Sequence, residues 1–258
     1  MIGGVRLPSG HRVRPDPSFL GKKTKELEPV LWITDQEVPG IDRLWAQVAE
    51  RFDETGLWPV ILESVDPVTE EPTRRPWDSG ELAPSLSSDP DEFNAESVLR
   101  RWWKEAVGPD EDSLDSVEPF GAEFPGLARG TTGPSNGAAP VLVARELPGR
   151  LGLVPVARPA DVPAAVGWAG PTNYYSDMGQ LAAVLRSWED RFGAVVVGLG
   201  FDTLILGVRR PPVGAAMSNA VAAEQFAVCP DIVWQGVESI AALAEEIDGQ
   251  RTWFCWWD

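Results

Sequence analysis

The sequence predicts an α+β protein: a mixed sheet packed by amphipathic helices, arranged as two α/β halves joined by an acidic, Pro/Gly-rich linker. Three observations predict it. Short, wholly apolar runs such as residues 58–62 and 194–199 have the length and composition of buried strands. Between them lie segments whose apolar residues recur at i, i+3, i+4 and i+7, the period of a helix with one greasy face. Stretches rich in proline, glycine and acids, with no periodicity, separate the two kinds.

Taken in order, residues 1–28 read as a disordered basic leader, because Pro and Gly punctuate them and nothing repeats. Residues 29–125 read as an N-terminal β-α-β unit plus a helix. Residues 30–33 form the first strand, and a helix over about 40–53 places Ile41, Leu44, Trp45, Val48, Ala49 and Phe52 on one face. Residues 58–62 form the second strand, expected to run parallel to the first through a right-handed crossover. Residues 63–88 read as a long exposed connection. Asp89, Pro90 and Glu92 then supply a cap, a first-turn proline and an N3 acid for a helix running to about residue 107.

A linker is expected over 126–145 and a C-terminal α+β domain over 146–258. That domain opens on a strand at 151–156 and a short helix at 161–166. A strong helix follows, capped by Asp177 and stopped by Gly193. Strands at 194–199 and 204–208 form a hairpin, helices occupy 215–227 and 238–247, and an aromatic strand occupies 252–257. The helices at 41–52 and 181–192 share apolar offsets, and each leads from Arg-Phe into an apolar strand. Duplication of an α/β half and plain amphipathic convergence both account for that echo.

Charge bears on partners. The formal net charge is −17, and residues 26–123 hold 25 acids against 7 bases. Such a body repels nucleic-acid phosphates and anionic membrane, so neither is an expected partner, whereas a basic protein is. The first twenty residues lack an apolar signal core, and two cysteines are too few for a disulfide scaffold, so a cytoplasmic location is expected.

Four strings carry a family resemblance: Leu185-Arg186-Ser187-Trp188-Glu189-Asp190-Arg191-Phe192-Gly193, Gly198-Leu199-Gly200-Phe201-Asp202-Thr203-Leu204, Ala222-Ala223-Glu224-Gln225-Phe226-Ala227-Val228-Cys229-Pro230-Asp231, and Trp256-Trp257-Asp258. Together, over about residues 150–258, they resemble the domain-of-unknown-function 4253 family of bacteria, in its actinobacterial type. The resemblance implies no reaction, ligand or catalytic residue.

Familiar catalytic sets are missing from the sequence. His11 is the one histidine and falls in the leader, a poor place for a base that must be held beside a nucleophile. Cys229 and Cys255 lack metal spacing. Gly21-Lys22-Lys23-Thr24 fails as a phosphate loop, because Asp16 stands where its first glycine is required. Gly198 and Gly200 serve a hairpin turn in preference to a dinucleotide loop. Carboxylates remain: Glu189, Asp190, Asp202, Glu224 and Asp231, which on one wall of a cleft would hold Mg²⁺ or do acid–base work. The loop Asn173-Tyr174-Tyr175 holds the only tyrosines, and a terminal strand puts aromatics on both faces.

The candidate binding residues are therefore Asn173, Tyr174, Tyr175, Glu189, Asp202, Asp231, Trp234 and Trp256. No catalytic residue, metal ligand or cofactor is assigned. Three functions fit: a non-enzymatic protein-interaction module of the kind that neutralises toxins, a carboxylate-dependent and Mg²⁺-assisted enzyme with a cleft between the halves, or a small-molecule sensor with a Trp-lined pocket.

Overall fold

The computed structural model describes residues 1–19, 21, 27–62, 75–108, 111–132 and 135–258. Lys22, Lys23 and Lys25 of the expected leader, and residues 63–74 of the expected connection, lie outside the described residues. Seven strands form one mixed sheet: β1 (Gly10–Val13), β2 (Leu31–Thr34), β3 (Leu57–Leu62), β4 (Arg150–Pro155), β5 (Ala194–Leu199), β6 (Thr203–Val208) and β7 (Thr252–Trp256). Their spatial order is β1-β2-β4-β3-β5-β6-β7. The helices among the described residues are α1 (Ile41–Ala49), α2 (Phe52–Thr55), α3 (Ala95–Val107), α4 (Glu111–Ser116), α5 (Ala139–Glu146), α6 (Val162–Val166), α7 (Met178–Phe192), α8 (Ala215–Val228) and α9 (Ile240–Ile247).

The mixed sheet and its amphipathic helices are as the sequence predicts; the connectivity differs in four places. First, β2 and β3 point the same way but are not neighbours, because β4 inserts between them antiparallel to both. A strand from the expected C-terminal domain thus sits inside the N-terminal β-α-β unit, and the sheet runs unbroken through both halves. The one parallel pair, β3 with β5, joins the strands that follow α1 and α7. Second, part of the expected leader is structured: β1 pairs antiparallel with β2. Gly10 makes this approach feasible, since a Cβ there would lie 2.2 Å from the Trp32 ring.

Third, the expected linker contains α5, which buries Ala139, Pro140, Val143 and Ala144 against β5 and β6. Fourth, residues 75–88 are not an exposed connection. Trp77 and Leu82 are fully buried, and the segment is stitched down by Ala83 N–H donating to Gly167 O at 2.6 Å. Gly167 has φ +67 and no space for a Cβ, so only glycine permits this crossing. The Asp89 cap exists, but it serves a single 3-10 turn. Asn94 then recaps the chain by accepting from Ser97 N–H, and α3 starts there.

The core is built from tryptophan. Nine of the twelve are buried, and most of their indole N–H groups reach carbonyls or a carboxylate, as burial of that group demands. Trp58 shows the logic. Pro59 sits in β3 where the β5 ladder has not yet begun, since that ladder starts at Ile61. Trp58 Nε1 instead donates to Val196 O of β5 at 2.7 Å, supplying a cross-strand bond where the backbone makes none. On the opposite face α7 lays Leu181, Val184, Leu185, Trp188 and Phe192 against the sheet, with Trp188 and Phe192 both edge-on to Trp253 of β7.

Candidate functional site

At the end of the sheet where the β5–β6 hairpin turns and β7 finishes, the surface sinks into a cavity of about 910 Å³. Its floor and walls come from three places. The hairpin tip Gly200–Thr203 is set by Gly200 N–H donating to Thr203 O at 2.8 Å, and it presents Phe201 and Asp202. Strand β7 turns Trp253 and Cys255 inward to the core, so the alternate residues Phe254 and Trp256 face the other way and line the cavity with Trp257. The segment after residue 74 contributes Arg75 and Glu81, and the loop after α6 contributes Asn173.

Hydrogen bonds fix this end of the molecule. Trp257 N–H donates to Asp202 O at 3.1 Å, tying the last strand to the hairpin tip. Asn173 Nδ2 donates to Asp258 O at 2.7 Å. Asp231, 1% exposed, accepts from the Tyr174 hydroxyl, from Gln235 Nε2 at 3.1 Å and from Asp258 N–H at 3.0 Å. Its carboxylate is a buried staple between the tyrosine loop, the π-helical turn Ile232–Val237 and the chain end. Burial and the Asp231 carboxylate together push the Tyr174 hydroxyl well above the ordinary tyrosine range. Tyr175 stacks on Trp102 with centroids 4.1 Å apart, and its hydroxyl donates to Val228 O.

The candidates of the sequence thus divide. Asn173, Asp202 and Trp256 share the large cavity. Tyr174, Tyr175 and Trp234 line a neighbouring concavity of about 170 Å³, which Asn173 also borders. Asp231 lies beneath both as structure. Glu189 lies elsewhere: it and Asp190 sit against Arg158, at 3.5 and 2.6 Å. Glu224 is fully buried and closed by Arg191 (2.8 and 2.6 Å), Trp188 Nε1 (2.7 Å) and Ala128 N–H (2.6 Å). Among the described residues no three His, Cys, Asp or Glu side chains converge as a metal site. Reasoning from sequence missed Arg75, Glu81, Phe201 and Phe254 as cavity residues. Trp77, an isolated tryptophan in a Pro-rich acidic run, was the available sign that residues 75–88 return to the core.

These features define an α/β protein with an aromatic-walled cavity at the end of its sheet. Residues 150–258 match the model of a family described as a domain of unknown function, DUF4253. No curated protein and no solved structure matches the chain. The matched stretch begins at β4 and includes Phe201, Asp202, Phe254 and Trp256, whereas Arg75 and Glu81 reach the cavity from outside it. No helix among the described residues is long and apolar enough to cross a membrane.

Proposed function

We propose that the protein is a binding protein whose ligand is a small molecule held in the 910 Å³ cavity. The supporting observation is convergence: Asn173, Asp202 and Trp256, chosen from sequence on separate grounds, border one concavity of the size that encloses metabolites. Glu189, Asp190 and Glu224 are instead occupied by arginines, which weakens the carboxylate-enzyme alternative. A thermal-shift and tryptophan-fluorescence screen of metabolites on the intact protein tests the reading. A ligand present at 100 times its Kd stabilises by about 2.7 kcal/mol, which is a Tm rise of roughly 5–10 °C for a chain of this size. Trp256→Ala should abolish the rise. A screen with no shift and no fluorescence change overturns the proposal.

A second reading has its own observation. Tyr174, Trp234 and Phe254 are 38, 41 and 48% exposed around the two concavities, an aromatic rim of the kind that anchors a protein partner. With a net charge of −17, that partner would be basic. Pull-down at low and moderate salt tests it, and recovery of no stoichiometric basic protein counts against it. In either case two buried free cysteines support a reducing compartment such as the cytoplasm.

A further inference from the structure

The charge and the walls of the cavity narrow the chemistry of what fits it; this step rests on the small-molecule reading above. Its rings are Phe19, Phe201, Phe254, Trp256 and Trp257. One of them already carries a cation. The Arg75 guanidinium lies 4.5 Å from the centroid of Phe201, within the range in which a ring quadrupole attracts positive charge. That cation is answered within the protein, because Arg75 Nε meets both oxygens of Glu81 at 3.0 and 2.7 Å. Arg75 and Glu81 therefore cancel.

Asp202 has no such answer. It stands half-buried at the hairpin tip between Phe201 and Thr203, and among the described residues no lysine, arginine or histidine pairs with its carboxylate. Besides the paired Glu81, the cavity carries one more acid, Asp258, which adds charge of the same sign. Burial, reinforced by Asp258, pushes the Asp202 carboxyl above the usual range, as expected where an ionised acid lacks a counter-charge. An anionic ligand would meet repulsion here. A neutral one would offer the half-buried carboxylate at most a hydrogen bond and no counter-charge. Among the described residues no three acidic, histidine or cysteine side chains converge to hold a bare divalent cation.

We propose that the cavity binds a small organic cation, an alkylammonium or arylalkylammonium, with its charged head against Asp202 and its apolar body against the aromatic wall. Charge pairing and cation–π attraction then act together at one end of the ligand. Apolar burial acts at the other.

Three probes of nearly one shape test this on the intact protein: phenethylamine, which is cationic at neutral pH, 2-phenylethanol, which is neutral, and phenylacetate, which is anionic. Calorimetry and tryptophan fluorescence give the affinities. Phenethylamine should bind at least about tenfold tighter than 2-phenylethanol, and phenylacetate should be weakest. Asp202→Asn should erase the preference for the amine while leaving 2-phenylethanol unchanged, and a melting temperature no lower than that of the wild type would show that the variant is folded. Equal binding of amine and alcohol, or a preference that survives Asp202→Asn, overturns the cation assignment and leaves the cavity as a site for neutral ligands. If phenethylamine fails to bind while a neutral or anionic metabolite raises the Tm through Trp256, the assignment is likewise overturned. If no probe and no metabolite binds, both proposals fall.

Discussion

The two ends of β5 hold acidic side chains with opposite fates. Beside the start of the strand, where α8 packs against the close of α7, the α8 residue Glu224 is completely buried and fully answered: Arg191 grips both oxygens, Trp188 and the Ala128 amide donate as well, and Arg191 also donates to Ala128 O. After the strand, at the hairpin tip, Asp202 is half-buried on the cavity, and among the described residues no lysine, arginine or histidine pairs with its carboxylate: Arg75, the cation on the same cavity, is paired with Glu81. The first carboxylate fastens α7, α8 and the segment around Ala128 together, and its hydrogen-bonding capacity is used up by the fold. The second leaves its charge available. Sequence type does not separate them; the partners do.

The contrast can be broken at its closed end with the largest effect. Glu224→Ala removes the counter-charge of the half-buried Arg191 guanidinium and the acceptor of two further N–H donors, so it should cost about 3–5 kcal/mol, read as a large fall in the midpoint of urea unfolding. Trp188→Ala removes a fully buried ring packed edge-on to Trp253 and also one donor to Glu224. It should cost about 3–5 kcal/mol; a melting curve close to wild type would contradict the packing. Asp231→Ala sits between the two ends in character, since its carboxylate is buried but holds Asp258 and Gln235, two residues that line the cavity. Leaving Tyr174, Gln235 and the Asp258 amide without their acceptor should cost about 1–3 kcal/mol, and hydrogen exchange should show faster opening at the end of β7 than in β5.

The smallest effect belongs to the open end and has the opposite sign. The folded Asp202 carboxyl titrates above its unfolded value, chiefly through burial and then through Asp258. The folded state therefore holds that proton more tightly, and ionisation of Asp202 disfavours folding once the pH rises past the raised value. Asp202→Asn should stabilise the ligand-free protein at pH 7, by well under about 1 kcal/mol given solvent screening. The gain should vanish below about pH 4, where Asp202 is protonated in both states. Loss of stability in Asp202→Asn at pH 7 would show that the carboxylate already has a partner.

Much of this was legible in the residues, and the reasons are local. The stripe of α7, its Asp177 cap and its Gly193 stop are fixed by neighbours three or four positions away, and all three stand in the structure: Asp177 accepts from Gly179 N–H, and Gly193 has φ +63. The pairing of β5 with β6 follows from a short turn. Asn173, Asp202 and Trp256 are candidates by residue type and position alone. Their meeting in one cavity was not legible, because it depends on how the β7 end, the hairpin tip and the loop after α6 are brought together.

What the sequence determined by itself is the strands and helices outside the expected leader and linker, their buried faces and the acidity of the whole, since periodicity, capping and charge are properties of short stretches of chain. Only the tertiary structure decided that β4 enters between β2 and β3, that residues 75–88 return to the core with Arg75 and Glu81, and which carboxylates are neutralised. Each of those depends on contacts between residues tens of positions apart. Many pairings of such distant segments bury apolar surface about equally well, and only the packing of the complete core selects one.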